Sequence, residues 1–287
     1  MEETLEASLS SILDQLDDNY EVLVVDDGSS DSSVHVIREL QKKYRSLRLI
    51  ELERDPARKL GLTRNISISN ARGDYVLLHL DCDDVFGPHV KDFVEVFHRI
   101  EHCVRRDILL SGQHINMAKR EFLLERGPYR NLYRGEDRDL WSRLATINAY
   151  IPFDHVDFIT RLPKPKKMRI GKTIIDTFDH MRNDLKEGTY LIRYIQLEFQ
   201  KLHLYSLKLK LFRMAMIFPA WICSVFDEPL PKVEKMGSFE EFASYREKTR
   251  GTYSSIMKRH GCEPDLSFLS YEAQKVFGEP LQDLDRT

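Results

Sequence analysis

Three aspartates follow a short apolar run within four residues of one another. The run is 75–80, and the acids are Asp81, Asp83 and Asp84. The run has the length of a buried strand, and ligands of open α/β sheets bind outside the carboxyl ends of the strands. Carboxylates this close repel one another unless a cation neutralises them, and a hard divalent ion binds such oxygens. The pattern predicts a Mg²⁺ or Mn²⁺ site for a phosphate-bearing substrate, with a solvated acidic loop as the structural alternative.

The composition excludes some classes of protein. The 287 residues are 42% hydrophobic and 31% charged, which is typical of a globular chain with one large domain or one domain and an appendage. The net charge of -3 predicts no nucleic-acid partner. No apolar stretch reaches the roughly 20 residues of a membrane-spanning helix, and the acidic N-terminus is unlike a signal peptide.

The four cysteines, at positions 82, 103, 223 and 262, lie far apart in the sequence. No two of them have the spacing of a zinc site or of a disulfide framework. We therefore expect free thiols in a reducing compartment, which favours the cytoplasm.

Strands and helices alternate along the first half of the chain. Apolar strands are predicted to begin near residues 21, 47, 75 and 107, and a helical segment separates each strand from the next. This rhythm is typical of βαβ units and predicts an α/β fold with a mostly parallel sheet flanked by helices. Neither a Gly-x-Gly-x-x-Gly motif nor a complete Gly-x-x-x-x-Gly-Lys-Ser/Thr motif is present, so the dinucleotide and P-loop interpretations lose their main support.

Four segments, in this order, resemble the family 2 glycosyltransferases of the GT-A fold. They are Val-Val-Asp-Asp-Gly-Ser-Ser-Asp at 24–31, Leu-Thr-Arg-Asn at 62–65, the strand and acids at 73–84, and Gly-Glu-Asp-Arg-Asp-Leu-Trp at 135–141. The resemblance covers residues 1 to about 150. It implies a Rossmann-like GT-A catalytic domain at 1–160, followed by a basic, mainly helical extension at 161–287. It also implies an inverting transferase that moves a sugar from a nucleotide-diphosphate sugar to an acceptor hydroxyl or lipid phosphate.

The resemblance assigns the nucleotide to two of these residues. Asp27 would hydrogen-bond the base, because a carboxylate accepts the N–H that a uracil-like ring offers. Arg64 would approach the nucleotide, because a guanidinium stacks on bases and pairs with phosphates. The structural alternatives are a turn and helix cap for Asp27 and a salt bridge to a neighbouring Asp for Arg64.

The resemblance also assigns the metal and the chemistry. Asp81 would approach the ribose or the sugar, Asp83 would coordinate the metal, and Asp84 would support either. Asp137 would be the catalytic base that takes the proton from the attacking acceptor hydroxyl. Its structural alternative is helix capping by a first-turn acid, and the roles of the neighbouring acids at 136 and 139 stay open.

The second half of the chain is basic. Residues 161–213 include 13 Lys and Arg against 5 Asp and Glu, and an apolar segment with Trp and Phe follows up to 226. One interpretation is a helical subdomain whose basic face is solvated. The other is peripheral contact of 161–226 with anionic lipid at the inner face of the cell membrane, which suits a lipid-linked acceptor, such as a polyprenyl phosphate, or a saccharide acceptor in a growing surface glycan.

The chain opens on a predicted helix at 4–16, where the family has its first strand. We expect either that the true start lies upstream or that the chain is a shortened homologue. The second case supports a rival hypothesis, in which a catalytically degenerate glycosyltransferase-like protein binds a membrane or a partner. A sugar nucleotidyltransferase would need a glycine-rich phosphate loop near its start, and none is present.

Overall fold

The computed structural model describes residues 2–78, 80–163, 167–186, 190–201, 206–227, 230–236 and 239–278. The strands are β1 (Val22–Asp26), β2 (Leu47–Glu51), β3 (Tyr75–Leu78), β4 (Asp84–Phe86), β5 (Leu109–Ser111), β6 (Asn116–Lys119), β7 (Tyr150–Pro152) and β8 (Ile159–Arg161). The helices of the first half of the chain are α1 (Glu2–Leu13), α2 (Ser33–Lys43), α3 (Leu60–Asn70), α4 (Val90–Val104), α5 (Arg120–Glu125) and α6 (Glu136–Thr146). The later helices are α7 (Lys167–Lys186), α8 (Leu191–Lys201), α9 (Leu207–Val225), α10 (Phe239–Thr249), α11 (Tyr253–Arg259) and α12 (Tyr271–Phe277).

The strands form three sheets among the described residues. β1 and β2 are parallel, β3, β6, β5 and β7 form a four-stranded sheet in that order, and β4 pairs with β8. The prediction of a mostly parallel sheet needs a correction, because β6 runs antiparallel to both β3 and β5, and β4 and β8 are also antiparallel. The link from β5 to β6, residues 112–115, is too short for the crossover that a parallel pair needs.

Helix α1 covers the side of β1 and β2. Its apolar face, Leu5, Leu9 and Leu13, shares a core with Ile37 of α2 and Leu47 of β2. Within the described residues no strand ladder joins β1 to the four-stranded sheet. The two sheets are instead connected by packing, because Val22 of β1 contacts both this core and the large core around α4.

The large core is built around α4 and includes the end of the chain. Phe93 and Phe97 of α4 are fully buried, and they share this core with Tyr253 of α11 and Phe277 of α12. The division into domains at 1–160 and 161–287 stays a prediction. The segment around α11 and α12 nevertheless contributes side chains to the core of the first half of the chain.

One disulfide corrects the prediction of free thiols. Cys103 at the end of α4 is bonded to Cys262 just after α11, with their Cα atoms 6.2 Å apart. Cys82 and Cys223 carry reduced thiols. Sequence spacing did not indicate the bond, because 159 positions separate its cysteines and only the packing of α11 on α4 brings them together.

Helices α7, α8 and α9 have a small core of their own. Its buried members are Met181, Leu185, Tyr194, Ile217 and Ala220. Residues 164–166 of the predicted basic stretch lie outside the described residues. No helix in the described part of the chain is long and apolar enough to cross a bilayer.

Candidate functional site

The turn after β1 is shaped by Asp26. Its Oδ2 accepts hydrogen bonds from the backbone N–H groups of Gly28 at 3.1 Å and Ser29 at 3.0 Å. Gly28 has a φ of 75°, and a Cβ there would lie only 2.7 Å from Cβ of Arg54. The glycine is therefore needed for both conformation and space, and the turn directs the next carboxylate, Asp27, out of the sheet.

Asp27 lies at the rim of an open cleft of about 500 Å³. Its Oδ1 accepts a hydrogen bond from Nε of Arg58 at 2.8 Å, and its Oδ2 accepts one from Oγ1 of Thr63 at 3.2 Å. The cleft is lined by charged and small polar residues, at positions 27–31, 54–56 and 58. Hydrogen bonds from Ser33 hold the pKa of Asp31 at about 2, so this side chain of the cleft is a carboxylate at neutral pH.

Helix α3 connects this cleft to the start of α6. Thr63 bonds to Asp27, and the next residue, Arg64, donates from Nη1 to Oε1 of Glu136 at 2.7 Å. The predicted salt bridge of Arg64 is therefore made, to a Glu on α6 instead of an Asp. Two adjacent residues of α3 thus contact two parts of the site. Thr63 contacts Asp27 after β1, and Arg64 contacts Glu136, the first residue of α6 and the neighbour of Asp137.

The start of α6 carries acids in different environments. Burial raises the pKa of Glu136, while the Arg64 guanidinium opposes that shift. Asp137 is partly exposed, and its Oδ1 accepts a hydrogen bond from the backbone N–H of Arg138 at 2.7 Å. The side chain of Asp137 therefore remains accessible to another molecule, whereas that of Glu136 does not.

Asp139 is a structural centre on the buried side of α6. Its Oδ2 accepts from Nε of Arg130 at 3.0 Å and from Nε of Arg143 at 3.1 Å, and Nζ of Lys235 lies 3.7 Å from its Oδ1. The side chain is 3% exposed, so these cations compensate its charge where water cannot. This environment supports a role for Asp139 in stability.

An arginine that the sequence prediction missed pairs with the acidic loop after β3. Arg161 donates from Nε to Oδ1 of Asp84 at 2.7 Å, and from Nη2 to Oδ2 of Asp84 and Oδ2 of Asp81, both at 2.9 Å. Its Nε lies 4.0 Å from Oδ2 of Asp83. These carboxylates, Asp84 first, raise the pKa of Arg161 above its ordinary value.

Hydrogen bonds to the backbone position both sides of this cluster. Asp84 of β4 is the register partner of Arg161 in β8, and the N–H of Leu162 donates to the carbonyl of Asp83 at 2.7 Å. On the other side, α1 holds the loop through hydrogen bonds from Thr4 to the carbonyl of Cys82 and from Ser8 to that of Asp81. A possible signal for Arg161 was its place as the first cation of the basic stretch, but the β4–β8 pair that positions it was not predicted.

Removal of Arg161 is expected to destabilise the fold. In Arg161→Ala the fully buried Asp84 loses its bidentate partner, and we expect about 1–3 kcal/mol less free energy of unfolding, since the arginine itself is half exposed. Urea denaturation measures the loss. Arg38→Ala is the matched control, because its partner Glu51 is exposed and the pair contributes about 0–1 kcal/mol. Equal losses in the two variants would contradict the role of Arg161.

The acidic loop fits a metal ion that shares its ligands with a substrate. Asp81 and Asp83 offer the carboxylate oxygens that Mg²⁺ and Mn²⁺ take. Across the described ranges no group of three or more His, Cys, Asp or Glu side chains is arranged to hold a metal ion. A Mg²⁺ ion commonly takes one or two carboxylates and completes its shell with water and phosphate oxygens. The donor set therefore fits an ion that arrives with a diphosphate.

A family model described as "Glycosyl transferase family 2" matches residues 2–152, more than half of the chain. The chain belongs to glycosyltransferase family 2. The family resemblance predicted from the four segments is confirmed, and so is the α/β GT-A fold class. The matched region contains Asp27, Arg64, Asp81, Asp83 and Asp137.

Two curated relatives of this glycosyltransferase family align with part of the chain. A poly(ribitol-phosphate) beta-glucosyltransferase of Bacillus spizizenii is 34% identical over 88 residues, which cover 30% of this chain and 14% of that protein. A dolichyl N-acetyl-alpha-D-glucosaminyl phosphate 3-beta-D-2,3-diacetamido-2,3-dideoxy-beta-D-glucuronosyltransferase of Methanococcus voltae is 33% identical over 91 residues, covering 29% of this chain and 26% of that protein. The alignments thus span less than a third of either relative.

A solved structure shares the fold. Residues 1–349 of TarS from S. aureus match with a TM-score of 0.53 and 17% identity, over 78% of each chain. At this identity the match shows a common fold, and the roles of individual residues are argued below from the geometry of this chain.

Proposed function

We propose that the protein is a metal-dependent, inverting glycosyltransferase that moves a sugar from a nucleotide-diphosphate sugar to an acceptor hydroxyl or lipid phosphate. The observation that carries this proposal is the link through α3. Thr63 contacts Asp27 and Arg64 contacts Glu136. Helix α3 therefore supports both Asp27, the proposed ligand of the nucleotide base, and α6, the helix that carries the proposed catalytic base. Donor and acceptor sites must be adjacent for direct transfer, and this link supports such an arrangement.

The cleft beside Asp27 is the proposed site of the nucleotide. The Asp27 carboxylate accepts the base N–H, and Arg58, which now bonds to Asp27, is close enough to contact the same nucleotide. Arg64, on the side towards α6, is proposed to pair with the diphosphate or stack on the base. The lining of the cleft supports this assignment, because it combines arginines with hydroxyl and carboxylate acceptors.

The acidic loop is the proposed site of the diphosphate and sugar. Asp81 is half exposed and is proposed to approach the ribose or the sugar, while Asp83 is proposed to hold Mg²⁺ or Mn²⁺. When bound, the ion would stabilise the negative charge that grows on the departing diphosphate. Arg161 lies beside the same carboxylates, so a ligand that binds here must share them with it.

Asp137 is the proposed catalytic base. Its partly exposed carboxylate takes the proton from the acceptor hydroxyl, whose oxygen bonds to the anomeric carbon as the bond to the diphosphate oxygen breaks. Attack from the face opposite the leaving group inverts the configuration of the sugar. The ion pair between Arg64 and Glu136 fixes the first turn of α6 and so positions the catalytic base, Asp137.

The acceptor is proposed to be a saccharide or a lipid-linked molecule, in the synthesis of a glycan or glycolipid. The two relatives are named for a poly(ribitol-phosphate) and for a dolichyl N-acetyl-alpha-D-glucosaminyl phosphate, and both of these molecules contain phosphate. We propose that the protein acts in the cytoplasm, peripherally at the inner face of the membrane, and has no nucleic-acid partner.

Thermal unfolding of the intact chain tests the proposal. The melting temperature is measured with UDP, GDP and dTDP sugars, each with and without Mn²⁺, since a ligand of the folded state raises it. A shift that requires one nucleotide together with Mn²⁺ would support the proposal and name the donor class. No shift with any donor would overturn it.

A catalytically degenerate binding protein is the second candidate, and one observation favours it. Arg161 already pairs with Asp81 and Asp84, so part of the negative charge of the acidic loop is compensated without a metal. In that case nucleotide sugars would neither stabilise the protein nor release a nucleoside diphosphate in its presence.

A further inference from the structure

The solvent-facing side of α9 is apolar along its whole length. Besides Lys208 and Pro219, its exposed positions recur every three or four residues and lie on one side of the helix. They are Leu207, Leu211, Ala215, Phe218, Ile222 and Val225. We call this set the α9 stripe. It extends over all 19 residues of α9, and its ends are about 27 Å apart at the rise of an α-helix.

Core packing does not account for the α9 stripe. The buried side of α9, with Ile217 and Ala220, already packs in the core shared with α7 and α8. The large members of the stripe are between 40% and 71% exposed. A helix on the surface of a protein in water normally has polar residues on that side, so the stripe indicates contact with something apolar.

The same region concentrates other exposed apolar side chains. Most of the large exposed apolar residues in the described ranges lie between 174 and 226. Beyond the stripe they include Ile174 and Ile175 on α7, Tyr190, Ile192 and Phe199 at α8, and Phe226. Exposed apolar residues scattered over a whole surface need no explanation, but a concentration on three successive helices does.

The charge of this region identifies the occupant. Helix α9 contains no Asp or Glu, and its N-terminal half carries Lys208, Lys210 and Arg213. Arg213 is paired with Glu198, whereas Lys208 is exposed, as is Arg193 on α8. An apolar stripe with cations beside it matches the apolar interior and anionic head groups of a bilayer surface.

We propose that the α9 stripe inserts into the interface of an anionic lipid bilayer. The helix would lie in the plane of the membrane, with the stripe among the acyl chains and Lys208 and Lys210 at the phosphates. A second copy of this chain explains the charges less well, because its own α9 offers no acidic residue to pair with these lysines.

Contacts between α7 and the loop before α6 connect this surface to the proposed active site. Oδ1 of Asn183 accepts from the N–H of Tyr133 at 3.0 Å, and its Nδ2 donates to the carbonyl of Arg134 at 2.7 Å. Arg134 also pairs with Asp176 of α7. A bilayer bound by α9 would therefore hold α6, and with it Asp137, at a lipid-linked acceptor. This last step alone rests on the proposed function.

Vesicle flotation tests the proposal with the intact chain. The wild type is expected to float with phosphatidylcholine vesicles that contain phosphatidylglycerol. Leu211→Glu/Phe218→Glu is expected to bind at least about tenfold more weakly per substituted residue, because burial of each side chain contributes about 1.5–3 kcal/mol. Lys208→Glu/Lys210→Glu is expected to lose binding to the anionic vesicles. Tyr271→Glu, at an exposed aromatic residue of α12, is the matched control and should bind like the wild type.

Two outcomes would overturn the proposal. One is that the wild type does not float with the anionic vesicles, or that Leu211→Glu/Phe218→Glu floats with them as well as the wild type does. The other is a concentration-dependent dimer in sedimentation equilibrium that the stripe variant loses while neither protein floats with vesicles. The melting-temperature shift with nucleotide sugar, measured on the same variants, shows that they are folded and separates failure here from failure of the proposed activity.

Discussion

Asp137→Asn is expected to slow sugar transfer by about 10²–10⁴-fold, the contribution typical of a general base. The amide has nearly the same shape but cannot accept the proton of the acceptor hydroxyl. Because Asp137 lies on α6 and not in the nucleotide cleft, the affinity for the donor should stay close to that of the wild type. Release of the nucleoside diphosphate from the donor, followed at saturating donor concentration, measures the effect.

Asp139→Asn is the control on the same turn of α6. Asp139 compensates Arg130 and Arg143 on the buried side, so the change should lower the free energy of unfolding by about 3–5 kcal/mol. Below its melting temperature, the folded fraction should retain its turnover. If both variants lost stability alike and neither lost turnover per folded molecule, Asp137 would have only a capping role.

Asp83→Ala is expected to abolish metal-dependent turnover while the fold is retained. Loss of one group that stabilises developing charge costs about 10²–10³-fold in kcat, and loss of the ion itself costs more. The backbone of Asp83 keeps its hydrogen bond from Leu162 whatever side chain is present, so β4 and β8 should stay paired. The rate is measured over a range of Mn²⁺ concentrations.

A direct measure of Mn²⁺ binding accompanies this prediction. Electron paramagnetic resonance of Mn²⁺ with nucleoside diphosphate should show bound ion with the wild type and none with Asp83→Ala. Glu121→Ala, at an exposed acid on α5, should bind Mn²⁺ like the wild type. Turnover unchanged in Asp83→Ala would remove Asp83 from the site.

The order of elements in the catalytic half was predictable because each element buries its own apolar pattern. The predicted strand starts near 21, 47 and 75 agree with β1 at Val22–Asp26, β2 at Leu47–Glu51 and β3 at Tyr75–Leu78. The direction of the strands was harder to predict from the sequence. β6 runs back along β5 after a link of four residues, and the residues next to this link show no helical pattern of their own. A strand as short as β4 depends on pairing with its partner strand. Its three residues are too few to show the alternating pattern from which a strand is predicted.

The acids of the site were predictable and their partners were not. Aspartates at strand ends are visible in the sequence, whereas Arg161 reaches them only because β8 pairs with β4 across 77 positions. The Cys103–Cys262 bond and the sharing of one core by α4, α11 and α12 also depend on contacts distant in sequence. Local patterns therefore predicted where the acids proposed to do chemistry lie, and tertiary packing determined which groups pair with them and support them.

The affinity for the nucleoside diphosphate, with Mn²⁺ and with a chelator, tests the central claim most directly. Calorimetric titration of the intact chain compares the wild type with Asp27→Ala and Asp83→Ala. The account predicts that Mn²⁺ tightens binding to the wild type at least about tenfold, that Asp83→Ala loses this gain, and that Asp27→Ala binds more weakly with or without the ion. Equal affinity with and without Mn²⁺ in all three proteins, or no binding to the wild type, would contradict the claim that the Asp27 cleft and the acidic loop bind one donor.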